Sequence, residues 1–164
     1  MAELTHLEEK LAEVLGLAQA AQGAGKRVAT LAKNEDESEL VATLEQMLEE
    51  AVQTEQRCQA VADNRDGKKT AIAEKARDTK TDLETFMRTY LEDAEALDGL
   101  EFLSMAEAGE LIHWEILATL NKSAKDEEIA QLVEQCLPIQ QKHVERVHEH
   151  SLALAKDEDP FEEA

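Results

Sequence analysis

Lys69-Thr-Ala-Ile-Ala-Glu-Lys-Ala-Arg-Asp-Thr-Lys-Thr-Asp-Leu-Glu-Thr-Phe-Met-Arg-Thr-Tyr90 is the stretch on which the topology turns. Its sizeable apolar residues at helical spacing are Ile72, Leu83, Phe86 and Tyr90, and its first half is polar. A helix with so thin a stripe has too little to bury for full membership of a core. It suits a segment that lies along other helices and carries the chain from one end of them to the other. Asn64-Arg-Asp-Gly67, just before it, is the strongest turn signal in the chain.

Outward from this stretch, helical periodicity runs almost without a break. The spacing predicts a first helix over Leu4–Ala32, with Leu4, Leu7, Leu11, Val14, Leu15, Ala18 and Val28 on one side. Asn34–Ser38 interrupts it and offers Asp36 or Ser38 as a cap. A second helix follows over Glu39–Asp63, a fourth over Asp93–Asn121 and a fifth over Glu127–Ala155. Pro138 falls inside the last and is expected to kink it, because the Glu134 carbonyl loses its backbone donor. Two short loops make two antiparallel hairpins, and the thin helix joins them. The expected class is all-α: a ferritin-like antiparallel four-helix bundle with an additional crossover helix. Residues 1–156 are read as one domain, and residues 157–164 as an acidic, disordered tail.

The charge balance narrows the partners. Thirty-seven acidic residues against 17 basic ones give a net charge of −20, which repels phosphate backbones and anionic lipid, so neither nucleic acid nor a membrane surface is expected to bind. Three Phe, one Tyr and one Trp leave little for a stacking platform. Cys58 and Cys136 stand on different helices without CxxC spacing and read as buried free thiols. No apolar leader and no run long enough for a membrane span is evident, so a cytoplasmic protein is expected.

In a bundle, chemistry shows as polar side chains where the period demands apolar ones. The second helix places Glu55 in the line Leu44, Leu48, Ala51, Glu55, Cys58, Ala62. The fourth places His113 in the line Phe102, Ala106, Gly109, His113, Ile116, Leu120. The fifth places Gln140 and His143 between Cys136 and Val147. Crude heights predict that Glu55 and His113 meet inside the bundle, with His143 about 10 Å further along near Ala106 and Glu107. Glu110-Leu-Ile-His113 and Glu145-Arg-Val-His148 share the i, i+3 spacing from which carboxylate-bridged metal sites are built. Glu145, however, points about 160° from the His143 line at ~100° per residue. The candidate ligands are therefore Glu55, Glu110, His113 and His143, with iron or manganese as the ion. Gly16 falls where the first helix should supply a carboxylate, so the set is incomplete for two metals. The alternative is a metal-free bundle in which buried Glu and His satisfy one another. A phosphotransfer bundle is disfavoured because His113 sits in an apolar stripe beside Trp114. A hemerythrin-like site is disfavoured because no His-x-x-x-His occurs.

The stretch Ala106-Glu-Ala-Gly-Glu-Leu-Ile-His-Trp-Glu-Ile116 resembles the His-Tyr-Glu-Ile region on the penultimate helix of the bacterial ferritin-like family typified by YciE and YciF. The matching residues are His113, Trp114, Glu115 and Ile116, and the helix order and length are similar. The resemblance implies a stress-associated, metal-binding ferritin-like protein, and a homodimer is the expected assembly. The chain departs from the family where it matters for metal. Ile112 stands where the family has an acid, Glu50 is followed by Gln53 rather than by His, and Pro138-Ile-Gln-Gln141 replaces a run of Glu. No catalytic residue is assigned.

Overall fold

The computed structural model describes residues 2–161 and contains, among them, five helices and no strand. They are α1 (His6–Asn34), α2 (Ser38–Asp63), α3 (Lys69–Tyr90), α4 (Ala96–Ala124) and α5 (Glu127–Asp157). None of these helices is long and apolar enough to cross a membrane. The chain is all-α, as the periodicity demands.

Helix starts are set by side chains that satisfy orphan backbone donors. Thr5 and Glu8 form a reciprocal capping box on α1, and Glu95 and Asp98 do the same on α4. Asp126 caps α5 by accepting from the Ile129 N–H at 3.0 Å. It also receives a two-pronged ion pair from Arg65, at 2.5 and 3.1 Å, which ties the end of α2 to the start of α5. The cap expected from Asp36 or Ser38 is not formed. Glu37 occupies that position with no side-chain bond, because Asp36 is spent on the left-handed turn (φ 61°) and Ser38 is already helical. Every connection contains one left-handed residue: Asp36, Gly67, Asp93 and Lys125. Helix α5 continues through Pro138, whose ring is exposed. Of the expected tail at 157–164, Asp157 is still helical, Phe161 is solvent-exposed, and residues 162–164 lie outside the described residues.

Cross-helix contacts fix the directions. Lys33 reaches Glu45 and Gln22 reaches Glu55, so α1 and α2 run antiparallel. Gln140 pairs with Glu107 and Ser151 with Ser104, so α4 and α5 do as well. Glu13 faces His113 and Val28 faces Gly99, which sets α1 antiparallel to α4. Thr43 meets His150 and Glu50 meets His143, which sets α2 antiparallel to α5. Helix α3 lies chiefly along α1, parallel to it, and buries only Ala71, Ile72 and Ala76. Its close approach depends on Gly16. A Cβ there would sit 2.3 Å from the Ala76 carbonyl oxygen.

The core has two apolar lobes. One gathers Leu11, Leu15, Cys58, Ile72, Trp114, Leu117, Ile129 and Cys136 near the α2–α3 and α4–α5 turns. The other gathers Val28, Leu40, Leu44, Leu100, Phe102, Leu103 and Val147 near the α1–α2 turn. Apart from Leu17 on α1, the buried residues between the lobes are polar or small.

Candidate functional site

The boundary between the lobes is a buried polar layer. Helix α4 contributes Glu107 and Glu110, which fall between Leu103 and Trp114 on its inward face. Helix α5 contributes Gln140 and His143, between Cys136 and Val147. Both pairs are spaced i, i+3, so each presents two side chains on one face. Helix α2 adds Glu50, part-buried, and Thr54, buried. Between Glu13 and Glu35, α1 has no acid at all and offers Gly16, Leu17, Ala18 and Ala20.

His143 is the hub, with its side chain only 4% exposed. Its Nε2 lies 2.8 Å from Glu50 Oε2, and its Nδ1 lies 3.4 Å from Glu107 Oε2. Burial alone would depress its pKa. The hydrogen bonds and charges of Glu107, then Glu50 and Glu110, outweigh burial and raise it above the ordinary value. Glu107 also accepts from Gln140 Nε2 at 2.7 Å, while the same amide donates to the Glu107 carbonyl at 3.0 Å. Glu50 is bound by Arg146 Nη1 at 2.7 Å and by Gln46 Nε2 at 3.0 Å. Burial raises its pKa, but the bonds from Arg146, His143 and Gln46 bring it below the usual carboxylate range.

Glu110 differs from the other two acids. The indole of Trp114 donates to it at 3.3 Å, and it is fully enclosed. Desolvation first, and the neighbouring Glu107 second, push its pKa up to about 8 against the attraction of His143. At neutral pH it holds a proton.

Of the four residues singled out from the sequence, the structure brings Glu110 and His143 into this layer. It does not bring Glu55 and His113 together. Glu55 is part-buried on the α1–α2 side, where Gln22 binds it. His113 is about one-third exposed between α1 and α4; its ring nitrogen Nδ1 is 2.7 Å from the Gly109 carbonyl and its Nε2 is 3.5 Å from Glu13. The physical reason is the phase of α4. Its buried face is Leu103, Glu107, Glu110, Trp114, Leu117 and Asn121, one residue on from the line containing His113. Sequence reasoning missed Glu107 as an inward residue and Arg146 as a partner of Glu50. The signal for Glu107 was its place seven residues before Trp114, the largest side chain that the core encloses.

The layer can be tested for iron or manganese from the donors themselves. Among the described residues, no three His, Cys, Asp or Glu side chains converge as metal ligands. A ligand imidazole keeps one nitrogen bare and aimed at the ion while the other donates to a supporting group. Here both nitrogens of His143 face carboxylates. Gln140 stands where the i, i+3 pattern of a carboxylate site calls for an acid. Compared with protein-family models, curated proteins and solved structures, the chain gives no significant match to any of the three.

Proposed function

We propose that this protein is a metal-free ferritin-like bundle with a structural or partner-binding role and no catalytic activity. The observation that carries the reading is His143. An imidazole hydrogen-bonded to Glu50 through one nitrogen and facing the Glu107 carboxylate at 3.4 Å with the other is arranged to hold charge as an imidazolium. The layer then balances its own charge, since Glu50 and Glu107 are matched by His143 and Arg146 while Glu110 is neutral. A divalent ion would have to displace Arg146 and expel two protons to enter. The ferritin-like assignment is supported by two antiparallel hairpins joined through a helix that runs the length of α1. In this reading the layer ties α2, α4 and α5 into one register, because a slip along any helix would leave a buried charge unpaired. Two buried free thiols suit a reducing compartment such as the cytoplasm.

Nitrogen-15 spectroscopy of the His143 ring tests this directly. Both nitrogens are expected to be protonated at neutral pH, and a neutral ring with one bare nitrogen would overturn the reading. Metal analysis of protein purified without chelator gives the second check. Iron and manganese should be substoichiometric, and the melting temperature should not climb as either ion is added, as it must if an ion binds only the folded state. One equivalent of metal, lost on Glu107→Ala, would instead establish a metal site.

A further inference from the structure

Helix α4 is apolar on the side that faces away from the bundle as well as on the side that faces in. Between Glu101 and Thr119 its exposed residues are Glu101, Met105, Ala108, Ile112, Glu115, Ile116 and Thr119. Met105, Ile112 and Ile116 are 46%, 48% and 38% exposed and recur at helical spacing, so they form one stripe. The outer faces of α2 and α5 are built mainly from Glu, Gln, Lys and His at the equivalent turns. A helix apolar all round is a helix covered on both sides.

The charges at the two ends of this stripe say what covers it. Glu101 stands at its N-terminal end and Lys122 at its C-terminal end, both exposed. Neither enters an ion pair among the described residues, and Glu101 only accepts from the Tyr90 hydroxyl at 3.3 Å. A stripe that is acidic at one end and basic at the other is complementary to itself when reversed.

We infer that the outer face of α4 is a self-association surface, on which a second copy of this chain docks with its own α4 antiparallel. With the two-fold axis at Ile112, Ile112 meets its own copy, Ala108 meets Ile116, and Met105 meets Thr119. The same register sets Glu101 beside Lys122 of the second copy. A parallel arrangement would oppose Glu101 to Glu101 and Lys122 to Lys122, which selects the antiparallel one. An isologous contact of this kind closes on itself and stops at two chains. It stands independently of the buried polar layer, so a metal found there would leave it untouched.

Sedimentation equilibrium of the full chain tests it. The wild type is expected at twice the 18.2 kDa chain mass. Ile112→Glu should weaken the dimer at least tenfold with the helical circular dichroism unchanged. Lys122→Glu should weaken it as well, and adding Glu101→Lys should restore it by re-pairing the reversed charges. A wild-type monomer at high micromolar concentration overturns the inference. So does a dimer that survives Ile112→Glu, or a charge reversal that the second exchange fails to rescue.

Discussion

Among the described residues, Glu110 is the one enclosed acid whose only protein donor is a neutral indole, and this makes its proton a stability term. Its pKa rises from 4.5 in the open chain to about 8 in the fold. The fold therefore favours the protonated form. The stabilisation is complete below about pH 4.5 and is lost as pH rises toward 8. Glu110→Gln keeps the shape, removes the ionisation and can donate an amide proton toward Glu107. At pH 7 the variant should be more stable than wild type by about 2–3 kcal/mol, at 1.36 kcal/mol per pKa unit. At pH 4.5 the two should be nearly equal. Urea titrations at the two pH values check this, and a destabilised variant at pH 7 would show that the carboxylate is needed. The same residue shows what the sequence could and could not give. The α5 line through Gln140 and His143 is readable, because the opposite face, with Gln131, Lys142, Glu145 and Glu149, is polar and the period has one solution. On α4, Met105, Ile112, Ile116 and Leu120 supply a second apolar stripe, so periodicity alone cannot choose the face and Glu110 reads as peripheral.

Among the elements, α1 is the axis against which α2, α3 and α4 all pack, and its glycines separate two effects of opposite sign. Glycine inside a helix costs about 1 kcal/mol relative to alanine, so propensity alone favours replacing any of them. Gly23 has nothing within 4 Å of where its Cβ would be, and Gly23→Ala should stabilise by about 0.5–1 kcal/mol. Gly16 differs because the new Cβ would meet the Ala76 carbonyl oxygen at 2.3 Å and Thr79 Cβ at 2.9 Å. Both belong to α3, and a backbone carbonyl cannot step aside as a side-chain tip can. Gly16→Ala should cost about 2 kcal/mol or more by forcing α3 off α1. Opposite signs from the two substitutions in one denaturation series are the expected outcome, and a stabilised Gly16→Ala would deny the close approach. The helices themselves were open to sequence reading: α3 is bounded by Lys69 and Tyr90, as expected, and the other four agree to within three residues at each end. Gly16 was noted as a missing carboxylate. Its actual role, admitting α3, depends on a neighbour sixty residues away, which no local pattern encodes.

For the molecule as a whole, the titrating groups and the net charge act in the same direction above neutrality. Glu8, Glu13, Glu50 and Asp126 have lowered pKa values, since their hydrogen bonds and ion pairs outweigh burial where burial opposes them. They add stability that is present above their unfolded values and is lost as pH falls through the folded ones, below about pH 4. Glu110 and His143 are shifted upward, so their contribution runs the other way. It is whole at acid pH and lost as pH rises, across about 4.5 to 8 for Glu110 and above about 6.5 for His143. The charge of −20 adds self-repulsion that grows as the remaining protons leave. Stability should therefore peak between about pH 4.5 and 6 and decline steadily toward pH 9. Salt at a few tenths molar shortens the Debye length to a few ångströms, so it should raise the melting temperature at pH 8 more than at pH 5. Glu110→Gln should flatten the alkaline limb and leave the acid limb where it is. Thermal melts across pH at fixed protein concentration, with and without added sodium chloride, measure all three trends. A melting temperature that holds level or rises from pH 6 to 8 would mean that the buried layer is not protonated as its geometry requires.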